Sequence, residues 1–413
     1  GVSSFGYAGT IAHAVIACRK AEQAGVDGEL STFLESSIST NGHPSLVIYR
    51  RHAFAHRQLH SLIDMARTSM YAACWVLAPP APAQPSRMCL LLDTRIVANT
   101  GRMHAALPCR QAALLLQADA VATPVLHGMQ LALALAQQLV GHATPPRVLM
   151  LTCGALTFGG APSDAAHGGA WGFARVLRLE HVAMSTQCTD VSSQGARAVV
   201  HSALTEEAEV AWRAAECFVA RLRVCRAILT SSAALVRGVY AITGGLGGLG
   251  LRAAAMLVEG GASKVLVASR SGRVARDGQD LEGQLRSLPA ATALACDGAD
   301  CRDTSALIAA RSLAGVLHAA GVGDKGLLIE IVAWRVQWMC SSKAQGALHL
   351  HCSAAFVPME VRVLFSSVGS GLGNVGQANY AMGNACLDAH AHSRRAHGVV
   401  AVSYTHLTLP TKA

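Results

Sequence analysis

The sequence predicts an α/β protein whose parallel strands are covered by helices on both faces. Three observations predict it. Short apolar runs of strand length recur along the chain, at 89–92, 148–151, 264–269 and 361–366. Longer segments of helical composition lie between them, at 127–140, 168–180 and 378–395. One strand-to-helix junction carries a G-x-G-x-x-G turn, Gly245–Gly250. Alternating strands and helices produce a parallel sheet shielded on both sides.

Taken in order, residues 1–16 (GVSSFGYAGTIAHAVI) are dense in Gly, Ser and Ala and give way to a polar stretch, Arg19–Asn41. A mixed linker runs to about residue 70, and APPAPAQP (78–85) is expected to be extended or turned. Cys89–Leu92 and Val148–Leu151 suit buried strands, and Cys217–Val224 a third. His127–Val140 reads as a helix too densely apolar to face water, through Met129, Leu131, Leu133, Leu135 and Leu139, and Gly168–Glu180 as a second helix. No glycine fingerprint occurs in this half. From residue 236 the alternation repeats. Strands are expected at Gly238–Thr243, Lys264–Ser269, Leu294–Cys296, Gly315–His318, Val361–Ser366 and from Gly398 to Ser403. Helices are expected at Leu249–Glu259 and Ala378–Arg395, completing a doubly wound domain.

Composition excludes several classes. The chain has 413 residues, 52% of apolar type and 14% charged, so it is not a solvated disordered chain. No run approaches the roughly 18 apolar residues of a membrane helix. Residue 1 is Gly, no charged-then-apolar leader opens the chain, and the expectation is a fragment without membrane contact. The net charge of +9 is carried mostly by scattered arginines with no dense basic run, which argues against a nucleic-acid partner. The 13 cysteines never form C-x-x-C, so neither a disulfide framework nor a zinc site is signalled, and a reducing, cytoplasmic setting fits. His52, His56 and His60 stand four apart without an acid or cysteine beside them, and read as linker rather than metal site.

The glycine turn carries the first chemistry. Glycines there permit a tight turn, close backbone approach to a diphosphate, and close helix–strand packing, while the helix N-terminus offers free amides. A ribose-binding acid is expected about 20 residues past the glycines. Arg270 occupies that place, with Arg273 nearby and no acid before Asp277. A guanidinium suits the 2′-phosphate of NADP. Asp297, after the third strand, is placed to bond an adenine. The second chemistry lies in Lys343, Ser367, Tyr380 and Asn384. Ser367 closes an apolar strand at the edge where open α/β sheets bind ligands, and Tyr380 and Asn384 share a helix face. Reducing a ketone needs a hydride donor and a proton donor. A phenol with a pKa near 10 becomes a better acid beside an ammonium. A serine hydroxyl can hold the carbonyl in place.

These residues carry a resemblance. YAITGGLGGLG, VLVASRSG, GVLHAAGV, SSKAQGALHL and VLFSSVGSGLGNVGQANYAMGNACLDA resemble the ketoreductase domain of modular polyketide synthases and animal-type fatty acid synthases, in the short-chain dehydrogenase/reductase superfamily. The resemblance implies that Tyr380 is the acid, Lys343 its modulator and ribose clamp, Ser367 the carbonyl anchor and Asn384 the fourth member. It implies NADPH bound by Gly245, Leu246, Gly247, Gly248, Leu249, Gly250, Ser269, Arg270, Asp297, Ala319, Ala320 and Gly321. GAWGFARVLRLEH (169–181) resembles the structural subdomain of such reductases, a degenerate Rossmann unit without cofactor. The fold class implied is two Rossmann-like doubly wound subdomains, 71–232 structural and 233–403 catalytic, after a linker at 19–70. Residues 1–18 resemble the end of a ketosynthase, with Ile11 where that family writes Asn and His13 at the catalytic histidine. Residues 47–63 resemble the linker that follows it.

The implied reaction is NADPH-dependent reduction of a β-ketoacyl thioester, held by phosphopantetheine on an acyl carrier protein, to the β-hydroxyacyl thioester among the other domains of a synthase. The sequence departs from the ketoreductase family in three places, one of them near Leu372, where the Trp associated with one stereochemical class is absent. Gly323-Asp324-Lys325 stands where L-D-D is frequent, and the chain reads YTHLTLPTKA (404–413) where a substrate lid is expected, so that segment is read as a non-native tail. The alternatives are a catalytically incomplete fragment that binds NADPH or serves structurally, and a free-standing reductase of small alcohols. The ketosynthase-like start and the structural subdomain argue against the last.

Overall fold

The computed structural model describes residues 2–5, 11–14, 70–78, 89–93, 111–116, 126–157, 165–191, 205–213, 216–225, 236–274, 280–309 and 312–404. The chain divides into two compact units, residues 1–70 with 224–226, and the remainder. In the first unit β1 (Val2–Phe5) and β2 (Ile11–Ala14) form an antiparallel pair with His13 opposite Ser3. His52, His56, His60 and nearly all of the proline-rich stretch lie outside the described residues.

The second unit holds two sheets. Along the chain, the first comprises β3 (Met70–Leu77), β4 (Cys89–Asp93), β5 (Gln111–Leu116), helix α1 (Leu126–Val140), β6 (Arg147–Cys153), helix α2 (Gly169–Glu180), β7 (Gln187–Val191), β8 (Glu209–Arg213) and β9 (Glu216–Cys225). Its spatial order is β3-β9-β8-β7-β6-β5-β4, with β4 to β8 all parallel and β9 antiparallel to β8. Met129, Leu131, Leu133, Leu135 and Leu139 of α1 are all buried, as their density requires. Each such side chain stabilises the fold by about 1.5–3 kcal/mol.

The second sheet follows from β10 (Val239–Thr243), α3 (Gly248–Glu259), β11 (Lys264–Ser269), α4 (Leu281–Arg286), β12 (Ala291–Ala295), α5 (Cys301–Ala309) and β13 (Leu313–His318). It continues with α6 (Ala333–Cys340), a π-turn at Ser341–Gln345, α7 (Gly346–Ser353), β14 (Val361–Phe365), α8 (Val368–Leu372), α9 (Ala378–Ala396) and β15 (Val402–Tyr404). The order β12-β11-β10-β13-β14-β15 is all parallel and reverses direction between β10 and β13, the Rossmann arrangement. Both sheets are Rossmann-like in their parallel strands, as expected, and only the six-stranded one reverses its order.

Two elements lie elsewhere than the apolar pattern predicts. The third strand is Ala291–Ala295, not Leu294–Cys296, because an edge strand is half exposed and needs no continuous apolar run. The sixth begins at Val402 rather than Gly398, because Gly398 takes a left-handed φ of +75° and closes α9 through Val399 N–H to Arg394 O.

The two sheets share a core. Leu131, Trp171 and Phe173 pack in one cluster with Leu328, Val336, Ala381 and Met382. Helix α2 lies close against α9 through glycines: a Cβ on Gly172 would stand 2.2 Å from the Ala381 carbonyl oxygen, and one on Gly168 2.2 Å from Ala389 Cβ. Arg175 of α2 adds a bond to Ser370 O (2.6 Å) while its guanidinium pairs with Glu209. Among the described residues no helix is long and apolar enough to cross a membrane, and no His/Cys/Asp/Glu cluster could hold a metal.

Candidate active site

Parallel strands end on one edge, and the predicted residues gather there. The glycine turn follows β10, Ser269 closes β11 with Arg270 after it, Asp297 follows β12, Ala319–Gly321 follow β13, and Ser367 follows β14. The glycines act differently. A Cβ on Gly244 would lie 2.5 Å from the Ala320 backbone, on Gly245 2.6 Å from Ile242 O, and on Gly250 2.5 Å from Gly245 Cα. Those three press the turn against β13, the sheet and α3. A Cβ on Gly247 would meet only Gly244 O, at 3.4 Å. The open glycine is also the N-cap of α3 and brings no capping side chain, so the amides that open the helix remain available for an anion. Leu246 is buried beneath the turn, and Gly248 and Leu249 begin the helix with Leu249 exposed.

Arg270 and Arg273 are exposed, and neither forms an ion pair among the described residues. Asp297 accepts a bond from Ala299 N (3.0 Å) while its own amide bonds Asp303 (2.8 Å). This cradle fits a dinucleotide with an extra phosphate: free amides at the turn, unpaired guanidinium groups one strand away, and no acid where a free ribose hydroxyl would be held.

Lys343 sits in the π-turn and is 5% exposed. Its ammonium lies 5.5 Å from the centroid of the Tyr380 ring and donates to Phe365 O (3.3 Å). Gly321 and Gly383 make the room, since a Cβ at 321 would be 3.1 Å from Lys343 Nζ and one at 383 3.4 Å from its Cδ. Burial drives the Lys343 pKa down to about 8, against a smaller upward pull from Asp388. Asn384 is fully buried, donates to Tyr380 O (2.9 Å), and leaves its Oδ1 without a partner. Its main-chain oxygen accepts from Ser366 Oγ (3.2 Å), which ties α9 to the end of β14. Ser367 Oγ accepts from Gly369 N (3.2 Å) and so caps α8. The structure thus brings Lys343, Tyr380 and Asn384 together, with Ser367 at the adjoining strand end.

Residues 238–408 match the KR domain family. The chain is 34% identical over 296 residues to polyketide synthase GfsA of Streptomyces halstedii, covering 68% of this chain and 4% of that protein. It is 32% identical over 294 residues to a 6-methylsalicylic acid synthase of Arthrobotrys oligospora, covering 66% of this chain and 17% of that one. The chain therefore spans a small fraction of the length of these relatives. A solved structure of A-type ketoreductases from a modular polyketide synthase superposes with a TM-score of 0.70 at 26% identity, over 81% of this chain and 83% of that one. Residues 238–408 are a KR domain, and the chain around them is similar to the ketoreductase regions of polyketide synthases. Ketoreductases are oxidoreductases of the short-chain dehydrogenase type, and the superfamily binds nicotinamide cofactors.

Sequence reasoning missed the groups that hold the ketoreductase loops. Glu180, at the end of α2, accepts from Leu328 N (2.6 Å) and from Gly376 N (2.8 Å), the latter just ahead of the Tyr380 helix. Asp324 bonds Arg335 (Nε–Oδ2 2.9 Å) and Asn379, the residue before Tyr380. Burial raises the Asp324 pKa, but the bonds from Arg335 and Asn379 outweigh it and hold the carboxyl below its ordinary value. Glu180 stands in the quoted GAWGFARVLRLEH segment, so its position was visible. Its partners are 148 and 196 residues away and were not.

Proposed function

We propose that this region reduces a carrier-bound β-ketoacyl thioester to the β-hydroxyacyl thioester with NADPH. When bound, NADPH supplies the hydride. Gly247 and the first amides of α3 would receive its diphosphate, Arg270 its 2′-phosphate, Asp297 its adenine, and Ala319–Gly321 would line the nicotinamide side. Ser367 positions the carbonyl by a hydrogen bond. Its hydroxyl hydrogen is given to no other described residue. As the carbonyl carbon gains its new C–H bond, the C=O π-bond breaks and the Tyr380 phenol gives its proton to the oxygen. The Lys343 ammonium stabilises the phenolate left behind until solvent restores the proton. Asn384 fixes that turn of α9. The observation that carries this reading is the buried Lys343 ammonium, in no ion pair among the described residues, over the Tyr380 ring.

The chain would act within a larger synthase whose other domains supply the substrate, residues 1–18 being the end of a ketosynthase. An acidic carrier domain would be drawn to the net charge of +9. The test is NADPH consumption with a small β-keto thioester. Turnover that Tyr380→Phe abolishes supports the reading. NADPH binding without reduction by the intact synthase overturns it and leaves a structural, cofactor-binding role.

A further inference from the structure

His318 closes β13, is fully buried, and has a partner at each ring nitrogen. Thr243 Oγ1 lies 2.7 Å from Nδ1, and the main-chain oxygen of Lys343 lies 3.0 Å from Nε2. A carbonyl oxygen only accepts, so the hydrogen is on Nε2. Nδ1 is then a lone pair, and the Thr243 hydroxyl donates to it. The imidazole therefore joins the last residue of β10, where the glycine turn begins, to the residue that carries the buried ammonium.

The Lys343 carbonyl reaches the ring because the helix is wound as a π-turn at that point, with Gly346 N–H bonding both Ser341 O and Lys343 O. Gly346 makes the contact close, since a Cβ there would stand 2.8 Å from His318 Cε1. We propose that His318 is a positioning residue: through its Nε2–H it holds the π-turn in the geometry that aims the Lys343 ammonium at Phe365 O and the Tyr380 ring. Burial, helped by the charge of Lys343, lowers the His318 pKa to about 4, so the ring is neutral at ordinary pH and this tautomer persists. The catalytic consequence rests on the ketoreductase reading above. The placement of Lys343 does not.

The test has two arms, one independent of activity. The sequence has five lysines, at 20, 264, 325, 343 and 412, so brief labelling with acetic anhydride read by mass spectrometry reports each separately. His318→Leu is expected to label Lys343 several-fold faster while Lys264, at the start of β11, is unchanged, and to lower kcat about tenfold or more. His318→Gln, whose amide nitrogen can donate to Lys343 O while its oxygen accepts from Thr243, is expected to restore both protection and most of the rate. Should His318→Leu not fold, His318→Asn, too short to span both partners, takes its place with the same expected exposure of Lys343. Unchanged Lys343 protection in the Leu or Asn variant, or no rescue by Gln, overturns the proposal. An inactive wild type that still shows the labelling difference overturns the ketoreductase reading alone.

Discussion

The two sheets of the second unit differ most at the carboxyl ends of their strands. In the six-stranded sheet the order reverses between β10 and β13, the strand ends carry glycines and exposed arginines, and the buried Lys343 of the π-turn, with no acid bonded to it, donates to the last residue of β14. In the seven-stranded sheet the parallel strands run β4 to β8 in sequence order without reversal. The edge there is filled from within. Asp190 is fully buried, accepts from Thr152 Oγ1 (2.7 Å), Ala155 N (2.9 Å) and Leu156 N (3.3 Å), and pairs with Arg213 at 2.7 Å. Trp171 completes the plug by donating to Thr152. A crevice forms where neighbouring connections leave on opposite sides, so one sheet keeps an opening for a ligand. In the other, the Asp190 carboxylate accepts from the amides there, and the Arg213 guanidinium donates to that carboxylate and to Leu156 O (2.9 Å).

Perturbing the open edge is expected to cost activity, and perturbing the filled edge to cost stability. The largest effect is expected from Tyr380→Phe, which removes the proposed proton donor and should lower kcat by about 10²–10⁴-fold with the melting temperature unchanged, measured by NADPH consumption and thermal unfolding. Asp190→Ala should do the reverse. It strands the buried Arg213 guanidinium and is expected to cost about 3–5 kcal/mol in denaturant unfolding, with NADPH affinity retained. Arg270→Ala should weaken NADPH by about tenfold or more and leave NADH little changed, as a lost charge-assisted contact of about 1.5–3 kcal/mol requires, read by fluorescence titration. Glu180→Gln, which keeps one amide-accepting oxygen of two, should change kcat/KM by only a few-fold, an effect on loop placement across the sheets.

How much of this was legible in the sequence follows the same division. The glycine turn, Lys343, Ser367, Tyr380 and Asn384 could be read because their chemistry is local: a turn, a strand end, two positions on one helix face. The strands β10, β11, β13 and β14 are apolar and central, and their positions matched the prediction closely. In the other sheet β7 was not predicted, because QCTDV carries Gln, Thr and Asp although all five residues are buried. Its Asp190 is satisfied by the plug, which joins residues 152, 190 and 213 and has no signature in a single run of sequence, and its Gln187 bonds Arg147 and Thr205. β5, QAALLL, is composed of good helix formers and becomes a strand only because β4 and β6 pair on either side. Asp324 and Glu180 were hidden for the same reason: each acts through partners far along the chain.

Lys343 holds its ammonium out of water over the Tyr380 ring. Its folded pKa of about 8 lies below its ordinary value of 10.5, so the folded chain binds this proton less tightly than the unfolded one. Across that interval, rising pH should therefore increase stability while it removes the charge that the proposed reduction needs. The measurement is kcat/KM for a β-keto thioester followed through the same interval in the wild type and in Lys343→Arg, alongside unfolding free energy. The expected result is a wild-type rate that declines with a midpoint near pH 8 as stability climbs, and a slower Lys343→Arg enzyme without that decline. A wild-type rate that stays level up to the ordinary lysine value, or one that declines equally in Lys343→Arg, would contradict it.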